Sequence, residues 1–311
     1  MDLRHLRNFV AIVDSGSLSK AAEQVHVAQP ALSQQMAGLE HDFKAKLLVR
    51  SPQGVVPTDA GKVLYRHART VLRQIEQVRQ EVAHPISGES APVAVGLPST
   101  MVAALALPLF KRVRAHYPGI RLHLFEGMSA YLAELVAHGR LDMAIQFRDA
   151  ETRGVAIQPL LTEDLYVIGN PPGYTADDAM CPLRALNGVP MVLPMSAQAL
   201  RVLVERSFAQ ANLELNVIAE IDSFRTGLAI AGEGLACTIL PLSALMPREN
   251  TARHSARLLI EPGIRRPVSL AWSTSLPRTD AALAVQRTIV SLVEELVSNE
   301  QWAGARLPAQ V

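Results

Sequence analysis

Gln29, Ser33, Gln34 and Gln35 fall opposite an apolar stripe of Leu32, Met36, Leu39 and Phe43. Short, uncharged amides and hydroxyls suit base edges and phosphates in a major groove. Gln can pair bidentately with adenine, and Ser can contact base or backbone. A second set of polar residues is scattered later in the chain: Pro98-Ser99-Thr100-Met101, Gln146-Phe147-Arg148, Pro194-Met195-Ser196 and Asp222-Ser223-Phe224-Arg225-Thr226. Each lies at an end of an apolar strand-like run or at the start of a helical one. Uncommitted backbone N–H groups there favour anions. Ser99, Thr100 and Ser196 are the candidates to receive a carboxylate, walled by Met101, Gln146, Phe147 and Phe224, with Arg148 and Arg225 as the nearest cations. Ser and Thr in such places serve equally as plain helix caps.

Covalent chemistry has little to work with. The chain has no His-Glu-x-x-His, no Gly-x-Ser-x-Gly and no P-loop, and Gly232-Glu233-Gly234 is too short for a dinucleotide turn. Its nine histidines are scattered. Cys181 and Cys237 lack Cys-x-x-Cys spacing, so neither a zinc site nor a disulfide framework is expected, and Cys237 reads as a buried small hydrophobe. No metal or cofactor is expected. An anion-binding α/β enzyme is the rival reading of the later part of the chain.

The elements that must hold these residues can be read from the pattern. Leu3, Leu6, Phe9, Val10 and Val13 predict a first helix. Ser17 can cap a second, with Leu18, Ala21, Ala22 and Val25 at helical spacing, and Pro30 suits the first turn of a third. Leu47 to Thr58 reads as a hairpin with Gly54 in its turn. A helix-turn-helix followed by a basic-tipped hairpin is a winged module, although two ordinary amphipathic helices give the same periodicity. Thr58 can then cap a long helix to about Val82, whose Leu64, Ala68, Val71, Ile75, Val78 and Val82 have the spacing of a coiled-coil seam. The stretch from His84 to Pro92 reads as a hinge. From Val93 strands and helices alternate, which predicts an α/β region of mostly parallel sheets covered by helices. A second such unit begins near Leu161, and Val268–Trp272 and the helix from Asp280 return to the first.

Several of these runs resemble one family. Gly16-Ser17-Leu18, Ala21-Ala22, Gln29-Pro30-Ala31-Leu32-Ser33-Gln34-Gln35, Leu39-Glu40, Leu47-Leu48-Val49-Arg50 and Pro57-Thr58-Asp59-Ala60-Gly61 are similar to the amino-terminal signature of the LysR-type transcriptional regulators. Within it they most resemble the nitrogen assimilation control subgroup. The resemblance implies a winged helix-turn-helix over 1–58 and a linker and dimerisation helix over 59–87. It also implies a two-lobed, periplasmic-binding-protein-like effector domain, with lobe I at 92–160 and 268–300 and lobe II at 161–267. Double-stranded DNA would meet Ser17, Ala28, Gln29, Pro30, Ser33, Gln34, Gln35, Arg50, Gln53 and Pro57. Many relatives carry Ser or Thr at the position of Ala28, so this recognition helix lacks a side-chain cap. Further implications are a homotetramer built as a dimer of dimers on a palindromic site, RNA polymerase as a partner if the regulator activates, and a small organic anion in the cleft. The nitrogen-control subgroup also admits a constitutive regulator that needs no effector.

Charge agrees only in sign. Residues 1–87 carry 11 Lys and Arg against 8 Asp and Glu, while the remainder carries 19 against 21. The start of the sequence has no signal-peptide pattern and no later run is apolar enough to span a bilayer, so a cytoplasmic location away from membranes is expected.

Overall fold

The computed structural model describes residues 1–51, 54–83, 91–152, 154–175, 177–245 and 256–308, with the side chains of 73, 76, 77 and 80–83 outside that description. Gln53, the side chain of Val82 and most of the expected hinge, 84–90, therefore lie outside the described residues. The chain divides into two compact units, Met1–Ser87 and Gly88–Val311.

The first unit contains α1 (Leu3–Ser15), α2 (Leu18–Gln24), α3 (Gln29–Asp42), a hairpin of β1 (Leu48–Ser51) and β2 (Gly54–Pro57), and α4 (Asp59–Ala83). Asp2 and His5 form a capping box on α1, and Ser17 caps α2 by accepting from the Lys20 N–H. Ala21 and Ala22 are buried, and their small side chains let the helices meet closely. Leu6, Phe9, Ile12, Leu32, Met36 and Leu39 complete the core with Leu47, Leu48 and Val55 of the hairpin. The hairpin docks on the end of α1 through Val55 N–H to Gly16 C=O, 2.8 Å. Gly54 begins the returning strand rather than sitting mid-turn. A Cβ there would lie 2.7 Å from the Gly16 oxygen, so the position requires glycine. The same holds at Gly61, where a Cβ would lie 2.0 Å from the Leu47 carbonyl oxygen.

One expectation needs correction. Leu64 and Ala68 of the expected seam are buried within this unit's own core. The first turns of α4 pack on α1, where Asp14 accepts hydrogen bonds from Tyr65 and Arg69. Among the described residues, the large apolar side chains α4 leaves exposed are Val63, Val71 and Val78, at 45%, 36% and 53%.

Among the described residues the second unit has three buried apolar clusters, two in lobe I and one in lobe II. Lobe I holds β3 (Ala91–Pro98), α5 (Ser99–His116), β4 (Ile120–Gly127), α6 (Ser129–Ala137), β5 (Met143–Gln146), and later β12 (Arg265–Ser273) and α9 (Asp280–Ser298). Lobe II holds β7 (Met180–Pro182), β8 (Met191–Leu193), α7 (Ala199–Gln210), β9 (Val217–Glu220), α8 (Phe224–Gly232), β10 (Thr238–Pro241) and β11 (Ala256–Ile260). Between them runs β6 (Val155–Ile168). From Val155 to Asp164 it pairs with β12, and from Tyr166 to Ile168 it pairs with both β10 and β11. The 161 boundary expected for lobe II thus falls inside one continuous strand. Pro159 sits beside a register shift against Val268 and Ser269, an irregularity that lets a proline remain in a strand. The short strand β13 (Ala305–Arg306) also pairs with β6. The lobe I sheet is parallel across β4, β3 and β5 but antiparallel at β12. Among the described residues no helix is long and apolar enough to cross a membrane.

Candidate nucleic-acid interface and interlobe site

In the first unit α3 presents Gln29, Pro30 and Gln34 to solvent. Ala28 precedes the helix without a side-chain cap, so its first amides keep no partner from that position. The Ser33 hydroxyl accepts a hydrogen bond from Arg50 Nη1 at 3.0 Å, which brings the wing's cation onto the recognition-helix face across 17 residues of sequence. Gln35 is placed differently from Gln34. Its Oε1 accepts from Asn8 Nδ2 of α1, a bond that joins the two helices and holds the side chain toward α1. Ser17 acts as a helix cap, and Pro57 ends β2 opposite Leu48.

The angle between α3 and the wing is set by Glu40. Its carboxylate accepts from the N–H groups of Leu47 (2.9 Å) and Leu48 (3.3 Å) and pairs with Lys46 Nζ at 2.8 Å. Burial pushes its pKa up, but Lys46 and the two amides outweigh burial and hold it below the ordinary 4.5. Thr58 completes the joint by donating to the Lys46 carbonyl and accepting from the Gly61 N–H.

In the second unit, Ser99, Thr100 and Met101 begin α5, Gln146 ends β5 and Phe147 follows it. Arg266, which sequence reasoning missed, joins Thr100, Met101 and Phe147 of this set. It is 2% exposed, pairs with Glu163 at 2.6 Å, donates to Thr100 Oγ1 at 3.1 Å, reaches Met101 Sδ at 3.8 Å and stacks 3.8 Å from the centre of the Phe147 ring. Burial pulls its guanidinium pKa down and Glu163 pulls it back up, with burial the larger effect. Trp302 Nε1 donates to the other Glu163 oxygen at 2.9 Å. Arg148 turns away to Thr152, at 2.9 Å.

Across the cleft the arrangement differs from expectation. Ser196 is exposed in a turn, three residues before α7 begins at Ala199, so it does not stand at that helix's first amides. The Asp222 carboxylate accepts from Met195 N–H at 3.1 Å and adds negative charge beside Ser196. Phe224 packs half-buried on the lobe II core under Arg225. The two lobes meet where Gln198 Nε2 donates to Met128 Sδ at the start of α6. Gln146 Nε2 and Ser243 Oγ are buried without hydrogen-bond partners.

Burial pushes the Cys181 thiol up and the Cys237 thiol up to about 11, so both stay protonated near neutral pH. Among the described residues no group of three or more His, Cys, Asp or Glu could hold a metal ion.

Comparison with known proteins agrees with both units. Residues 3–62 match the bacterial regulatory helix-turn-helix family model of the lysR family, and residues 87–293 match the LysR substrate binding domain. The chain belongs to the LysR family of transcriptional regulators. It is 38% identical to the nitrogen assimilation regulatory protein nac of Klebsiella aerogenes over 94% of this chain and 95% of that one. Against the protein of the same name from Escherichia coli (strain K12), identity is 36%, covering 97% and 99%. A full-length OxyR variant from Pseudomonas aeruginosa shares the fold, with a TM-score of 0.70 at 24% identity over 94% of this chain and 95% of that one. This LysR-family chain is therefore a regulator and not an enzyme. A sequence signal for the missed Glu163–Arg266 pair did exist. Glu163-Asp164 interrupts an apolar strand and Arg265-Arg266 opens another, and buried charges of this kind need partners. Nothing local indicated that they were each other's.

Proposed function

We propose that this regulator reads duplex DNA with Gln29, Ser33 and Gln34 in the major groove, Arg50 on the backbone and the free amides at the start of α3 on a phosphate. The supporting observation is the Arg50–Ser33 contact, which sets a cation against an exposed polar helix face. Replacing Gln34 by alanine should lose about 1–3 kcal/mol and relax preference at one base pair, whereas Arg50→Ala should weaken all sequences together and lower the salt dependence. Binding titrations on a site and its single-base variants check this; unchanged affinity and preference in Gln34→Ala would remove the groove assignment.

Assembly follows from two uncovered faces. Val63, Val71 and Val78 of α4 offer one pairing surface. Leu107 and Phe110 on α5, with Val202 on α7 and Ile218 on β9, all more than half exposed, offer another on the second unit. Used together they build a dimer of dimers on a palindromic site. The protein works in the cytoplasm, with RNA polymerase as a partner where it activates.

For the cleft, the pairing of Arg266 with Glu163 and Thr100, and the carboxylate of Asp222 beside Ser196, support the effector-free alternative over an anion-responsive one. A thermal-shift screen of organic acids should give no stabilisation; a carboxylate that raised the melting temperature and altered promoter binding would restore the anion reading.

A further inference from the structure

We infer that the segment Trp302–Arg306 is a strap that locks the hinge between the two lobes, so that the chain itself, and not an occupant of the cleft, sets their angle. The hinge is the pair of crossing strands β6 and β12, where Glu163 lies opposite Arg266 and Asp164 opposite Arg265. β13 adds a third strand at this point, with Ala305 opposite Glu163 and Arg306 opposite Thr162, and Gly304 C=O accepts from Asp164 N–H at 2.7 Å. Side chains repeat the connection. Trp302 holds one Glu163 oxygen and Arg306 holds Asp164 at 2.8 Å, while Arg265 holds the other Asp164 oxygen at 3.0 Å. Gly304 packs so tightly that a Cβ would meet the Tyr166 hydroxyl at 3.0 Å, at the residue where β6 starts to pair with β10 and β11 of lobe II. Through Arg266 the same network reaches Thr100 at the start of α5 and the Phe147 ring. A rotation of one lobe about β6 and β12 must therefore break strand pairing and buried charge contacts together, which a bare two-strand hinge would not require.

The test uses the full chain with spin labels at Ala137→Cys on lobe I and Glu233→Cys on lobe II, both exposed, diluted into unlabelled protein. The two native thiols are buried and protonated, so labelling is selective. Trp302→Phe removes the indole donor and keeps most of the ring's packing, and Arg306→Ala cuts the strap from the surface, where folding is not at stake. Each should broaden the interlobe distance distribution about twofold, while amide exchange in β3 stays as in the parent and DNA affinity changes by less than about twofold. Unchanged distance widths in both variants would overturn the strap. So would loosening spread equally through β3, the mark of a merely structural tryptophan. Absence of DNA binding by the parent protein would count against the proposed function alone, because the distance measurement makes no use of DNA.

Discussion

Arg266→Met should destabilise the effector unit by about 3–5 kcal/mol, because it leaves the Glu163 carboxylate buried with only the Trp302 indole to satisfy it. The size comes from stranding a charge, not from the worth of the pair. The double variant Glu163→Gln/Arg266→Met, which removes both charges, should regain most of the loss. Urea unfolding followed by tryptophan fluorescence measures this cleanly, since the two tryptophans, Trp272 and Trp302, both lie in the second unit and the first unit is silent. A single variant within about 1 kcal/mol of the parent would mean that water or a shifted side chain reaches Glu163, and the buried network would lose its role.

Placing charges at Val71 and Val78 should be nearly as damaging, but to assembly rather than folding. Val71→Asp/Val78→Asp should lower the assembly by at least one step in sedimentation and weaken operator binding by about 10²–10⁴-fold, because two half-sites are no longer engaged by one particle. The choice of residues matters. Leu64 and Ala68 share the heptad spacing, yet they are 9% and 1% exposed within the winged unit, so a charge there would unfold the reader before it separated two chains. Val71 and Val78 are open to solvent, and the first unit should keep its circular dichroism spectrum in their variant. An unchanged sedimentation coefficient would remove α4 from the interface and leave the apolar face of the second unit as the contact.

What the sequence determined by itself is local and repetitive. Ser17 and Thr58 cap helices where the reading placed them, and of the expected stripe Leu32, Met36 and Leu39 are buried while Phe43, at the end of α3, is exposed. The alternation of strand and helix after Val93 appears nearly element for element, and the run from Gln29 to Gln35 was distinctive enough to point to the family. Such features are legible because caps and periodicity act within a few residues. Periodicity reports that a face is covered but not by what, so the stripe on α4 could not say that its first two turns serve the winged unit and its later ones do not. Gln34 and Gln35 are identical in type and adjacent, and only the packing of α1 turns one toward Asn8 and leaves the other exposed. The strand from Val155 to Ile168, the returning strand β13 and the Glu163–Arg266 pair depend on partners as far apart in the chain as Thr162 and Arg306. The energy that makes a buried arginine tolerable resides in the opposing carboxylate, the tryptophan and the phenylalanine ring that the tertiary fold brings to it.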